Sequence, residues 1–187
     1  MITLLQVVFA ILLVDLVSGF VHWAEDTFCT ETTPLIGKWI VTPNVLHHRD
    51  GNAFVSKGWF ASNWDLTLVG ALVIVAAAVA GHCGAAVVVF SVLGAHANQI
   101  HKWNHQPRSA PWFVRALWTL QLLQGPVQHH RHHRGAKNTA YCVVTPFVNP
   151  VLDRLGFWRA LERLVVPFTG APRREDLRSI RRFSWRQ

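Results

Sequence analysis

Eight of the eleven histidines in this chain fall into four tight clusters, and their side chains are the ones best suited to chemistry. Neutral imidazole is the commonest protein ligand for transition metals, and a site assembled from several chain segments needs donors of this kind. We therefore predict that all eight bind metal. The clusters are His22, His47 with His48, His101 with His105, and His129 with His132 and His133.

Two clusters have the spacing of one helix face. His101 and His105 are four residues apart, which directs both rings of a helix toward one metal. Asn98 precedes them by one turn, and we predict that it is a catalytic residue that supports the ligands, as is Asp26. Asp26 follows His22 by four residues, so it can accept a hydrogen bond from the second ring nitrogen of His22 or bind metal directly.

The other two clusters are more compact. His47 and His48 are adjacent and diverge on a helix, so they can serve two different metals. The run 129–133 offers three donors in the pattern HxxHH, although its sequence HHRHH also allows His130 to be the first member.

Three histidines lie outside the four clusters, and one carboxylate lies within an apolar stretch. His82 is expected to be structural, while the roles of His96 and His130 stay open. Asp15 lies on the face of His22, seven residues earlier, inside an apolar stretch. Carboxylates within a membrane span are functional candidates, and the alternative is that Asp15 packs against a Ser or Asn of a neighbouring helix.

The apolar residues occur in blocks, which is typical of a membrane protein. The chain has 187 residues, 51% of them hydrophobic and 15% charged. Residues 2–21 are long enough for one span of about 20 residues. Residues 66–95 contain no Asp, Glu, Lys or Arg and are too long for one span, which predicts a hairpin of helices 64–80 and 85–105. One long tilted helix is the alternative.

The basic residues predict the orientation. Three of the 18 Lys and Arg lie within 22–64 and the other fifteen from Lys102 onward, with none before residue 22 or in the turn 81–84. Basic loops stay in the cytoplasm, so the N-terminus and the turn face away from it. The same rule places every histidine cluster and the C-terminus on the cytoplasmic side of a membrane such as the bacterial inner membrane.

Two later segments, 111–124 and 149–168, mix apolar residues and Arg at helical spacing. Both are predicted to be interfacial helices, and the alternative for the second is a packed helix of a cytoplasmic cap. Residues 172–187 form a basic tail. The predicted fold is therefore one all-α integral membrane domain over 1–187, with about three transmembrane helices plus interfacial or cytoplasmic helices.

The donor set favours iron in a pair. Eight imidazoles are too many for one metal and suit two irons, with positions left for oxygen. Soluble di-iron bundles use mostly Glu ligands instead. The three cysteines are widely separated and indicate neither a disulfide framework nor a thiolate site, and the net charge of +8 comes without a nucleic-acid-binding motif.

Six motifs occur in an order and spacing that resemble the Kua/CarF lipid desaturase family, which includes plasmalogen-forming and plastid palmitate desaturases. NQIHKW is the most specific of them. The motifs are GFVHWAEDT (19–27), LHHRD (46–50), NQIHKWNH (98–105), QHHRHH (128–133), NTAYCVV (138–144) and LDRLGFWRALERLV (152–165).

The resemblance implies that the eight clustered histidines correspond to the family's ligands and that Asp26 matches the acidic position after the first. The spacing from the last cluster to Tyr141 favours His129 over His130. The implied reaction removes two hydrogens from adjacent carbons of an alkyl or acyl lipid chain, with O₂ as oxidant. Electrons would come from a ferredoxin or a cytochrome b-type protein that docks on the basic face.

Three other functions remain open at this stage. A hydroxylase would share the same oxidant and differ only in its product. A haem-carrying membrane protein could use His22 and His101 as axial ligands, but it would leave the other clusters without a role. A non-catalytic zinc-binding protein would need only part of the donor set.

Overall fold

The computed structural model describes residues 2–51, 55–134 and 138–169, and these ranges contain helices and loops but no strands. The predicted basic tail 172–187 lies outside the described residues. Short π-helical and 3-10 turns cover Gly37–Val41 and Pro107–Ser109. The α-helices are α1 (Ile2–Phe28), α2 (Thr42–Arg49), α3 (Trp59–Val79), α4 (Ala85–Ala95), α5 (Ala97–His105), α6 (Trp112–Thr119), α7 (Pro126–His133), α8 (Val148–Arg154) and α9 (Phe157–Thr169).

Within the described ranges, two helices are long and apolar enough to cross a membrane, namely Thr3–Phe28 within α1 and α3 itself. Their outer faces carry exposed large apolar side chains, for example Phe9 at 66% and Leu72 at 59%. A surface of this kind matches lipid rather than water. Helix α1 continues past the predicted end at residue 21, and its last turns carry His22 and Asp26.

The apolar stretch 66–95 forms a hairpin, so the alternative of one long helix is wrong. Gly81 has φ 73° in the turn that ends α3, a left-handed conformation that glycine adopts without strain. The two arms approach closely at Gly70, where a Cβ atom would lie 2.9 Å from the backbone oxygen of Ser91. Helix α4 therefore packs along α3, and it also packs along α1.

The second arm is not the continuous helix 85–105 that the sequence predicts. It breaks at His96, where α4 ends after 11 residues and α5 begins. The His96 ring compensates for the break, because its Nδ1 donates to the carbonyl of Val92 at 2.8 Å. Helix α4 alone is shorter than the roughly 20 residues of a membrane span, so three spans remain a prediction.

The later segments are also shorter helices than predicted. Helix α6 ends at Thr119 because Gln121 takes φ 56°, which stops the helix before residue 124. The segment 149–168 divides at Gly156, with φ 63°, into α8 and α9. The apolar stripe of α9 packs inward through Trp158, which contacts Trp23 and Tyr141 in a buried aromatic cluster.

Candidate metal centre

The four histidine clusters come together in two adjacent groups. Within each group, the possible ligand atoms lie within 4.8 Å of one another. Helices α1, α2, α5 and α7 supply them, so the site draws on segments more than 100 residues apart. The five-histidine group consists of His47, His101, His105, His129 and His133. The aspartate group consists of His22, Asp26, His48 and His132.

Ring nitrogens converge at the centre of the five-histidine group. Nε2 of His105 lies 3.2 Å from Nε2 of His101 and 2.9 Å from Nε2 of His129. Nε2 of His133 lies 2.9 Å from the same atom of His129. The i, i+4 spacing on α5 and on α7 produces this arrangement, as the sequence predicts for His101 and His105.

Asp26 is the centre of the second group. Its Oδ1 lies 3.1 Å from Nε2 of His48, and its Oδ2 lies 3.2 Å from Nε2 of His132 and 3.7 Å from Nε2 of His22. Asn44 Nδ2 also donates to Oδ1 at 2.7 Å. Asp26 therefore faces the Nε2 atoms of three imidazoles rather than accepting a bond from the second nitrogen of His22.

The opposite ring nitrogens show which tautomer these histidines adopt. Nδ1 of His22 bonds the carbonyl of Tyr141 at 3.0 Å, and Nδ1 of His132 bonds the carbonyl of Thr139 at 2.9 Å. A carbonyl oxygen only accepts, so both Nδ1 atoms carry the proton and both Nε2 atoms present a lone pair. Neutral rings would direct these lone pairs at a carboxylate, an arrangement that a cation between them would stabilise. The residues therefore fit a metal ion.

The electrostatics of the site also favour metal binding. Burial lowers the pKa of His47, His129 and His133 well below 6.5, and the neighbouring imidazoles lower it further. Neutral imidazole is the form that binds metal. The ring of His48 links the groups, because its centroid lies 4.2 Å from that of His47 and 4.9 Å from that of His133.

The carbonyls that orient His22 and His132 belong to the backbone segment 138–145, which passes between α1 and α8. Asp153 on α8 accepts from the N–H of Ala140 with both carboxylate oxygens, at 3.1 and 3.2 Å. Ala140 has φ 58°, which is a strained conformation. The bond to Asp153 holds it in place between the carbonyls of Thr139 and Tyr141.

The same segment is fixed at its centre and far end by buried side chains. Asn149 accepts from the N–H of Cys142 at 2.9 Å and donates to its carbonyl at 2.7 Å. Asp15 accepts from the N–H of Val144 at 2.8 Å and from the hydroxyl of Thr145 at 2.6 Å. Asp15 thus makes a structural contact, although its partner is this segment and not a Ser or Asn of a neighbouring helix.

The remaining predicted positions lie outside both groups. His82 is exposed in the turn after α3, and His130 directs Nδ1 to the carbonyl of Pro126 at 2.8 Å. Asn98 donates to the carbonyl of Ser62 at 2.6 Å and so joins α5 to α3. Asn98 therefore supports the site indirectly, because it fixes the position of α5. A catalytic role for Asn98 stays a prediction.

An apolar cavity of about 370 Å³ leads to the metal centre. It lies between α1, α3, α4 and α5. The end of its wall nearest the candidate metal centre includes His22, His47 and His101, so the cavity contacts both groups. Helices α1 and α3 each pack along α4, and the cavity opens between them. Val17, Val21 and Val69 line it and are 39%, 45% and 57% exposed, which marks the opening toward lipid.

Sequence reasoning missed the residues that hold the ligands in place. Asn44, Asn149 and Asp153 were not predicted to contribute, and neither was the backbone of the segment 138–145. A signal was present, because NTAYCVV and LDRLG belong to the motifs of the family resemblance. Their hydrogen bonds use backbone atoms, which no residue spacing reveals.

Two groups of buried imidazoles that could hold metal lie beside an apolar cavity, in a protein with two helices of membrane-spanning length within the described residues. A family model described as the lipid desaturase domain matches residues 11–176. The chain therefore belongs to the lipid desaturase family, and it is an oxidoreductase of that family. No solved structure is significantly similar to it.

Named relatives support the same assignment. The chain is 32% identical to plasmanylethanolamine desaturase 1 of Mus musculus, over 94% of this chain and 69% of the relative. It is 33% identical to plasmanylethanolamine desaturase of Myxococcus xanthus, over 87% and 60%. It is 32% identical to the chloroplastic fatty acid desaturase 4 of Arabidopsis thaliana, over 81% and 48%. The chain thus spans less than two thirds of the last two.

The neighbouring histidines of α7 provide a test of the ligand set. We expect His129→Ala to lower bound metal strongly, because its Nε2 lies within 2.9 Å of two other ring nitrogens. His130→Ala, in which only a bond to a backbone carbonyl is lost, should keep the metal content of the wild type. Metal analysis of both purified variants checks this, and equal loss from both would contradict the grouping.

The hold on segment 138–145 can be tested at Asp153. Asp153→Ala leaves the N–H of Ala140 without its acceptor, at a cost of about 1–3 kcal/mol. The loosened carbonyls should reduce metal affinity by about 10- to 100-fold. Asp153→Asn keeps one acceptor oxygen and should recover part of the affinity, while the exposed neighbour variant Arg154→Ala should change nothing. Chelator competition measures all three, and wild-type affinity in Asp153→Ala would refute the role.

Proposed function

We propose that the protein is a di-iron lipid desaturase that introduces a double bond into the alkyl or acyl chain of a membrane lipid. The observation that carries this proposal is the apolar cavity that ends at His22, His47 and His101. A ligand cavity of this size and polarity suits a hydrocarbon chain. Its contact with both ligand groups would bring two adjacent carbons next to both metals.

The ligands proposed for the two irons are the eight clustered histidines, with Asp26 as a ninth. Three histidines and Asp26 would hold one iron, and five histidines would hold the other. Two bound irons would supply the reduction of O₂ and the removal of hydrogen from unactivated C–H bonds. The balance is one O₂, two electrons and two protons consumed, with two hydrogens removed from the chain and two waters formed.

The protein's own residues would position the chain and exclude water. Asp26 is held through its Oδ1 by Asn44, which leaves its other oxygen directed toward His132 and His22. Asn98 lies in the cavity wall and fixes α5 against α3, so we propose a positioning role for it. The aliphatic wall residues keep the reacting carbons dry, which suppresses competing reactions with water.

The substrate proposed is an ether lipid whose alkyl chain becomes a vinyl ether, and the mouse and Myxococcus relatives, which are named plasmanylethanolamine desaturases, support this choice. The alternative is an acyl chain, as the names of the plant relatives describe. The polar side chains Glu25, Lys57 and Asp65 lie in the wall of the cavity near its metal end and would face a head group. Hydroxylation of the same chain is the second candidate, because it needs the same oxidant.

Electrons would enter on the face opposite the cavity. His105 and His133 are the half-buried members of the five-histidine group, and neither lines the cavity. The exposed side chains of Arg131 and Arg134 lie beside His133 along the chain. A basic surface of this kind attracts an acidic donor, which we propose to be a ferredoxin or a cytochrome b-type protein.

The proposed arrangement in the membrane has three crossings, formed by α1, by α3 and by α4 with α5. The turn 81–84 and the N-terminus would lie on one side, and the metal centre and C-terminus on the cytoplasmic side. The distribution of basic residues supports this orientation.

Product analysis tests the reaction. We expect the purified protein to contain close to two irons per chain without haem absorbance, and cells that express it to accumulate lipids two daltons lighter, with acid-labile vinyl ethers. His132→Ala should abolish the product, whereas His82→Ala should not, since His82 lies outside both groups. Lipids sixteen daltons heavier would identify a hydroxylase, and one zinc per chain with no iron would refute the proposal.

Cysteine labelling tests the orientation. Cys83 is exposed in the turn 81–84, whereas Cys142 is fully buried. In a variant that keeps Cys83 alone, an impermeant reagent applied from outside should label it in intact cells. The matched variant has Arg108→Cys, at an exposed position after α5, as its single cysteine and should be labelled only after permeabilisation. The reverse pattern would overturn the proposed topology.

A further inference from the structure

The cavity has a floor, where α4 contacts α3 on one side and α1 on the other. The members of its wall farthest from the ligands are Val14 on α1, Gly70 on α3, and Phe90 with Ser91 on α4. Beyond these residues, none of the three helices lines the cavity. The hydrocarbon chain that enters here cannot continue between the helices beyond the floor.

Close helix contacts seal the floor. A Cβ atom on Gly70 would lie 2.9 Å from the backbone oxygen of Ser91, so α3 and α4 touch at this point. A Cβ atom on Gly94 would lie 3.4 Å from Cγ2 of Val14, so α4 and α1 are in contact one turn higher. Val14 is itself 3% exposed and belongs to the hydrophobic core. The cavity is therefore blind at this end, although it opens sideways between α1 and α3.

The depth of the cavity follows from the helices. Eight residues of the continuous helix α1 separate His22 from Val14, so the floor lies about 12 Å from the ligands at 1.5 Å per residue. A chain of tetrahedral carbons, with bonds of about 1.5 Å and angles near 111°, advances about 1.25 Å per carbon. The cavity thus has room for about ten carbons beyond the candidate metal centre.

We propose that this floor, through Phe90 and Gly94, selects the length of the lipid chain that the enzyme accepts. The inference rests on the proposed function, because it assigns a specificity to that same cavity. The ring of Phe90 closes the lower end, and the lack of a side chain at Gly94 keeps the cavity open at the contact with Val14. Both residues lie on α4 and outside the two ligand groups.

Two variants should move the selectivity in opposite directions. Phe90→Ala removes a ring from the floor and should lengthen the preferred chain by about two or more carbons, since the ring spans several C–C bonds. Gly94→Val adds branches that Val14 forces into the cavity and should shorten the preferred chain by a similar amount. Gly94→Ala is the milder form, with a smaller shift in the same direction.

The matched controls lie on the same helix and outside the cavity wall. Val92→Ala shortens a side chain that is 49% exposed, and Ala95→Val adds two methyl groups one residue after Gly94. The full-length proteins, reconstituted with lipids of graded chain length, would be compared by the mass of the desaturated product. The chain lengths of lipids that co-purify with each variant give a second readout that does not depend on activity.

Opposite shifts in Phe90→Ala and Gly94→Val, with both controls at the wild-type optimum, would support the proposal. One unchanged optimum in every variant that retains wild-type metal content would overturn it. A wild-type protein that desaturates no lipid, but whose co-purified lipids shift in length with these variants, would refute the proposed function and leave the role of the floor intact.

Discussion

The candidate metal centre depends on hydrogen bonds made on the far side of three of its imidazoles. A ring whose Nδ1 proton has a fixed acceptor keeps its Nε2 lone pair directed inward, and a buried donor without an acceptor costs about 1–3 kcal/mol. His22 and His132 find that acceptor in the carbonyls of Tyr141 and Thr139, and His47 finds it in the carbonyl of Asn44 at 2.6 Å. These carbonyls have to be held as firmly as the ligands themselves. Asp15, Asn149 and Asp153 supply that rigidity from three different positions in the chain.

This requirement explains why a carboxylate sits within an otherwise apolar helix. Asp15 lies two turns before His22 on α1, and the segment that orients His22 runs back toward it through Val144 and Thr145. Its carboxylate is completely buried, and its two oxygens accept two hydrogen bonds. A buried carboxylate is costly unless it is bonded in this way. These bonds join the loop after α7 to the helix that carries His22 and Asp26. The loop and that helix are thus held in a fixed relation to each other.

The sequence predicted which histidines come together, because candidate metal ligands can be recognised from residue type and spacing. Pairs at i, i+4, such as His101 and His105, are directed to one side by helix geometry alone, and adjacent His47 and His48 do fall into different groups. The division into five histidines and three with Asp26 was not predictable, since it depends on how α2 and α7 approach each other. The breaks at His96 and Gly156 were missed for a related reason: apolar periodicity continues across both positions, while the backbone changes direction there.

The two sides of the candidate metal centre differ in what they face, and this difference bears on how a desaturase would keep its reactants apart. His22, His47 and His101 border the apolar cavity, whereas the half-buried His105 and His133 do not. Exposed Arg131 and Arg134 lie close to His133 in sequence, so a charged partner would approach from the side away from lipid. An oxidant formed in such a centre would meet hydrocarbon on one side only. The opening between α1 and α3 would then admit substrate from the bilayer without exposing the centre to water, which is what selective oxidation of an unactivated chain requires.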